Sequence, residues 1–140
     1  MTEAPVLEVL LVEDDPGDVL MTEEALQRQV LANRLHVVSD GVEALRFLRD
    51  HNEPRPDLVL LDLNLPRLGG REVLAEVKAD PALAHIPVVV LTTSSAHEDV
   101  VRSYQLHANA YVTKPGDFDA FVAAVSGIDT FFTEIARVPR

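Results

Sequence analysis

Short unbroken apolar runs alternate along the chain with stretches in which apolar residues recur every three or four positions. Val9-Leu10-Leu11-Val12 shows no polar alternation, which suits a strand covered on both faces, and Glu13-Asp14-Asp15 ends it abruptly. Asp15-Pro16-Gly17-Asp18 then reads as a helix start, with Asp15 as N-cap and Pro16 at the first helical position. Met21, Ala25, Leu26 and Val30 follow at helical spacing. Leu35-His36-Val37-Val38 is a second, weaker strand, after which Asp40-Gly41 introduces a helix bearing Val42, Leu45 and Leu48. A break from Pro54 to Pro56 leads into Leu58-Val59-Leu60-Leu61, the clearest strand, which stops at Asp62. The stretch from Glu72 to Lys78 is helical, with Val73, Leu74 and Val77 on one face and Pro81 limiting it. Ile86 to Leu91 is a fourth strand, Val100, Val101 and Tyr104 mark a fourth helix, Ala110-Tyr111-Val112 a fifth strand, and Phe118, Phe121, Val122 and Val125 a fifth helix.

Five βα units in this order predict an α/β fold: a single doubly wound parallel five-stranded sheet with helices on both faces, its strands in the order 2-1-3-4-5. In such sheets ligands bind beyond the carboxyl ends of the strands, near the switch point between strands one and three. That rule directs attention to the residues that follow each apolar run.

Composition narrows the picture. The 140 residues fit one domain, with a core over about 7 to 127, a carboxyl-terminal extension over about 128 to 140, and no room for a separate output domain. A net charge of −11 argues against non-specific binding to nucleic acid or anionic membrane, which reward clustered Lys and Arg. Absence of cysteine excludes disulfides, thiolate metal sites and cysteine nucleophiles. No signal peptide or membrane-length apolar run is visible, so the expected compartment is the cytoplasm. The five histidines, at 36, 51, 85, 97 and 107, have neither metal-ligand nor nucleophile-base spacing and read as surface residues.

The strand ends carry the chemistry. Glu13 and Asp14, Asp62, Thr92 and Lys114 follow or end four of the apolar runs, and the topology converges them on one crevice. Neighbouring carboxylates repel one another and favour a hard cation between them, which makes Mg²⁺ the natural occupant. A phosphoryl group brought to Asp62 then meets the metal on one side, the Lys114 ammonium on another, and the Thr92 hydroxyl as a donor. Asp62 alone, at a strand end, is more often a solvated loop-side carboxylate; the set changes that reading. Asp15 reads as an N-cap and stays outside the metal shell.

Val12-Glu13-Asp14, Asp62 with Pro66 and Gly70 downstream, Leu91-Thr92 and Lys114-Pro115 resemble the motif set of response-regulator receivers over nearly the whole chain. The resemblance implies a flavodoxin-like receiver fold and Asp62 as phosphoacceptor. It also implies Asp14 and Asp62 as direct magnesium ligands, Glu13 acting through water and Asn64 through its carbonyl. Thr92 and Tyr111 match the family's switch pair, coupling the site to the face of helix four, strand five and helix five, and Lys114-Pro115 matches its cis peptide bond. Leu61 to Pro66, Gly70 to Leu74, Val90 to Ser94 and Tyr104 to Asn109 are similar to small receivers that partner bacterial phytochromes. The partner this implies is a sensor histidine kinase of phytochrome type, with an unidentified downstream protein. The sequence departs from the common pattern at Leu65, His107 and Gly116, none of them a phosphorylation residue.

Three other readings compete. A magnesium-dependent phosphatase with an aspartate nucleophile resembles Asp-x-Asp, but Asn64 stands at the second position, and an amide cannot exchange a proton as a carboxyl does. A flavodoxin-like FMN carrier needs a Ser-, Thr- and Gly-rich loop where this chain has Glu13-Asp14-Asp15. A vestigial, unphosphorylated adaptor is disfavoured by the completeness of the motif set. Phe131, Phe132 and Ile135 either close the core or form an apolar patch, and in the second case a homodimer through the helix four to helix five side is expected. The chain is expected to act as a signalling phosphoacceptor rather than an enzyme.

Overall fold

The computed structural model describes residues 6–28, 32–62, 65, 68–92, 110–113 and 123. Their order is β1 (Leu7–Val12), α1 (Pro16–Gln27), β2 (Asn33–Val38), α2 (Gly41–Arg49), β3 (Leu58–Asp62), α3 (Gly70–Ala79), β4 (Val88–Thr92) and β5 (Ala110–Thr113). All neighbouring strands are parallel, and the sheet runs β2-β1-β3-β4-β5. This is the expected flavodoxin-like order, with its switch point between β1 and β3.

Period-two alternation distributes the strand side chains between two cores. Leu10, Val12, Val59, Leu61, Val88 and Val90 face α2 and α3, where they meet Ala44, Leu45, Val73, Leu74 and Val77. Val9, Leu11, Leu58, Leu60, Val89 and Leu91 point the other way and pack with Ala25 and Leu26 of α1. Each fully buried Leu or Val is worth about 1.5–3 kcal/mol relative to exposure, so the central strands are fixed in register. Register in turn fixes which residue of each strand arrives last at the carboxyl edge.

The helix starts follow their sequence signals. Asp15 accepts hydrogen bonds from the backbone N–H groups of Gly17 (2.8 Å) and Asp18 (3.1 Å), with Pro16 opening α1. Asp40 accepts from Glu43 N–H at 2.8 Å, while the Glu43 carboxylate accepts from Ser39 N–H at 3.3 Å, which closes a reciprocal cap on α2.

Four details differ from the sequence reading. Strand β2 begins at Asn33 rather than Leu35, because backbone pairing with Leu7 and Glu8 extends the ladder through polar residues. Helix α3 begins at Gly70, two residues before Glu72, behind an extended Gly69. Ile86 is buried in the core but precedes β4: Pro87 has no N–H to donate, and its carbonyl instead accepts from Val59 N–H at 3.0 Å. His36 is no plain surface residue, for its Nε2 lies 2.7 Å from Glu8 Oε2 and its ring packs 5.4 Å from that of Phe47. Ala123 is helical; the remainder of the expected fourth and fifth helices, Val30, and the Phe131, Phe132 and Ile135 cluster lie outside the described residues.

Candidate phosphoacceptor and metal site

β1 ends at Val12, and the next residue, Glu13, continues its line for one more bond, with the Glu13 N–H donating to the Val38 carbonyl at 3.0 Å. That bond holds Glu13 at the edge of the sheet, where it is buried (2% exposed) while Asp14 beside it is exposed. The Glu13 carboxylate accepts from Asp15 N–H at 3.3 Å, so the turn into α1 also fixes it. Asp62 is the last residue of β3, only 7% exposed, one register step beyond the Val12–Leu61 pair.

The two strands therefore deliver three carboxylates to one place. One oxygen each of Glu13, Asp14 and Asp62 lies within 4.8 Å of the others. No other such group of acidic or histidine side chains occurs among the described residues. All are hard oxygen donors, two are shielded from water and one is open to it, a donor set that fits a small divalent cation still carrying some of its waters. Asp15 is committed to capping α1 and does not join the group.

The other expected site residues are placed in part. Thr92 ends β4, directly after Leu91, which pairs with Asp62. The Thr92 backbone thus stands at the same sheet edge as the phosphoacceptor candidate. Tyr111 lies in β5 opposite Val90, and β5 ends at Thr113, one residue before Lys114. Asn64, Lys114 and the Lys114-Pro115 bond lie outside the described residues.

Comparison with known proteins agrees with this geometry. Residues 9–126 match the response regulator receiver domain family, and the chain belongs to it. It is 45% identical over 135 residues to the response regulator Rcp1 of Synechocystis sp., covering 94% of this chain and 92% of that protein. The crystal structure of the Mn²⁺-bound form of Rcp1 superimposes with a TM-score of 0.88 at 44% identity, over 96% of this chain and 99% of that one. The phosphorylated cyanobacterial phytochrome response regulator RcpA gives 0.90 at 44% identity, over 97% and 100%. The protein is accordingly a response regulator receiver related to phytochrome response regulators, with an acidic cluster suited to a divalent metal.

Sequence reasoning passed over Gly41. A glycine directly after an N-cap aspartate, where almost any residue propagates a helix better, signals a close approach by another part of the backbone.

Proposed function

We propose that Asp62 accepts a phosphoryl group from a phosphohistidine of a sensor kinase of phytochrome type, and that the aspartyl phosphate changes the surface offered to a downstream protein. The observation that carries this reading is the convergence of Glu13, Asp14 and Asp62 within 4.8 Å at the carboxyl edge of the sheet. Similarity to Rcp1 and RcpA supports the choice of kinase.

Each residue has a distinct task. An Asp62 carboxylate oxygen attacks phosphorus in line, a P–O bond forms as the P–N bond to the kinase imidazole breaks, and the histidine leaves with its electron pair. Asp14 and Asp62 directly, Glu13 through water and Asn64 through its carbonyl would hold a magnesium ion, which would supply positive charge against the phosphoryl oxygens. Lys114 pairs with the transferred group and the Thr92 hydroxyl donates to it. The product carries about 1.5 to 2 negative charges, and pairing them favours one arrangement of Thr92 and Lys114. Tyr111, one strand away, follows Thr92 and relays the change to the face made by β5 with the expected fourth and fifth helices. Residues 1–140 act as one receiver unit, in the cytoplasm, and a homodimer through that face is one form the output can take.

Incubation with acetyl phosphate, followed by intact mass measurement, tests the chemistry. A magnesium-dependent gain of roughly 80 Da is expected, the mass of one phosphoryl group. No gain under any condition would leave a vestigial adaptor, and phosphate release without an adduct would restore the phosphatase reading. Lys114→Ala is expected to permit uptake and uncouple it from the surface change.

A further inference from the structure

Asp15 is bonded in two directions at once. Toward α1, its carboxylate accepts from the N–H groups of Gly17 at 2.8 Å and Asp18 at 3.1 Å, and its carbonyl accepts from Val19 N–H at 2.9 Å. Toward the sheet, its own N–H donates to Glu13 Oε2 at 3.3 Å. The residue is exposed to water, yet the bonds to the helix hold it extended, at φ −86° and ψ 116°. A side-chain oxygen meeting the first helical N–H groups is what favours this geometry at an N-cap.

From these contacts we infer that Asp15 is a positioning residue for the carboxylate cluster: by capping α1 it aims its N–H at Glu13, and so presets Glu13 and Asp14 for a divalent cation. This rests on the metal-site reading above. The N–H belongs to the peptide group that joins Asp14 to Asp15, so one plane sets both the donor to Glu13 and the attachment of Asp14. A glutamate side chain has several torsions, and any left loose must be ordered when a cation binds, at a cost to affinity. Burial alone leaves Glu13 that freedom, whereas a directed donor removes part of it before the cation arrives. Groups that orient ligands in this way matter nearly as much to affinity as the ligands.

Binding of Mg²⁺ and Mn²⁺ to the full chain, measured beside thermal melts, separates positioning from charge and from plain helix stability. Asp15→Asn and Asp15→Ala remove the same charge, but only asparagine can still cap. Asp15→Asn is therefore expected to bind either cation about tenfold more tightly than Asp15→Ala. Asn33→Ala removes the 2.9 Å bond from Asn33 Nδ2 to the Leu26 carbonyl at the other end of α1, and is expected to lower the melting temperature with cation affinity unchanged. Should Asp15→Ala fail to fold, Asp15→Gly takes its place, since glycine is tolerated at an N-cap but leaves the turn unpinned. Equal affinities in the Asn variant and the capless one would overturn this inference while sparing the site. An equal loss of affinity in Asn33→Ala would do the same, by tracing the effect to helix stability. A wild-type protein that binds neither cation would overturn the site reading and this inference with it.

Discussion

The two ends of the sheet both hold buried acids and use them in opposite ways. At the amino end, Asp57 is tied into backbone: its carboxylate accepts from Glu8 N–H at 2.9 Å, and its own N–H donates to the Glu8 carbonyl at 2.8 Å. Glu8 in turn pairs with Arg34 at 2.8 Å and His36 at 2.7 Å. Around this end Arg49 meets Glu76, and Lys78 donates to the carbonyls of Ala84 and Ile86. Negative charge there is matched by cations and N–H groups, and the result is stability. At the carboxyl end, Glu13, Asp14 and Asp62 face one another. Like charges gathered at a shielded edge repel one another, and a cation between them relieves that repulsion, which is what the proposed function asks of this end.

The sharpest break between the ends comes from exchanging single acids. Asp62→Asn is expected to abolish phosphoryl uptake, a loss of at least about 100-fold, and to leave the melting temperature equal or higher, since one carboxylate leaves a repulsive group. Asp57→Ala is expected to do the reverse: uptake is retained, and stability in urea falls by about 1–3 kcal/mol because the Glu8 N–H loses its buried acceptor. A comparable gain is expected from metal. At a free Mg²⁺ concentration 100 times Kd, linkage raises wild-type stability by about 2.7 kcal/mol, and Asp14→Ala should lose most of that gain in a melt series.

Smaller effects sharpen the amino end. The Arg49–Glu76 pair spans 2.9 Å with both side chains about half exposed, so Arg49→Ala should cost no more than about 0.5 kcal/mol, less at high salt. Burial lowers the pKa of Lys78 below its ordinary 10.5. Between the lowered folded value and 10.5 the unfolded chain binds more protons than the folded one, so stability rises with pH through that window. Lys78→Met should remove this rise, as chemical denaturation on both sides of the window will show.

Much of the fold was legible because its central strands are continuous apolar runs between turn signals, a pattern that a parallel sheet requires. Legibility fell where context outweighed pattern. β2 lies at the edge, half-buried, so its pairing runs out through Asn33 and Arg34 with no apolar signature. Gly70 opens α3 against helix propensity because it is buried, and propensity alone placed the start at Glu72. His36 looked solvated, and two partners distant in the sequence, the Glu8 carboxylate and the Phe47 ring, draw it inward. At the site, the strand ends marked Glu13, Asp14 and Asp62, yet nothing in two successive acids tells which turns inward. The Glu13–Val38 backbone bond decides that, and it belongs to the sheet, not to the sequence neighbourhood.

The account stands or falls on which residue carries the phosphoryl group. Protein treated with acetyl phosphate and Mg²⁺ can be reduced with borohydride, which converts an acyl phosphate to an alcohol, then digested and sequenced by mass spectrometry. The expected result is homoserine in place of Asp62 and nowhere else. Reduction at Asp14, at another acid, or at no position despite a mass gain would contradict it.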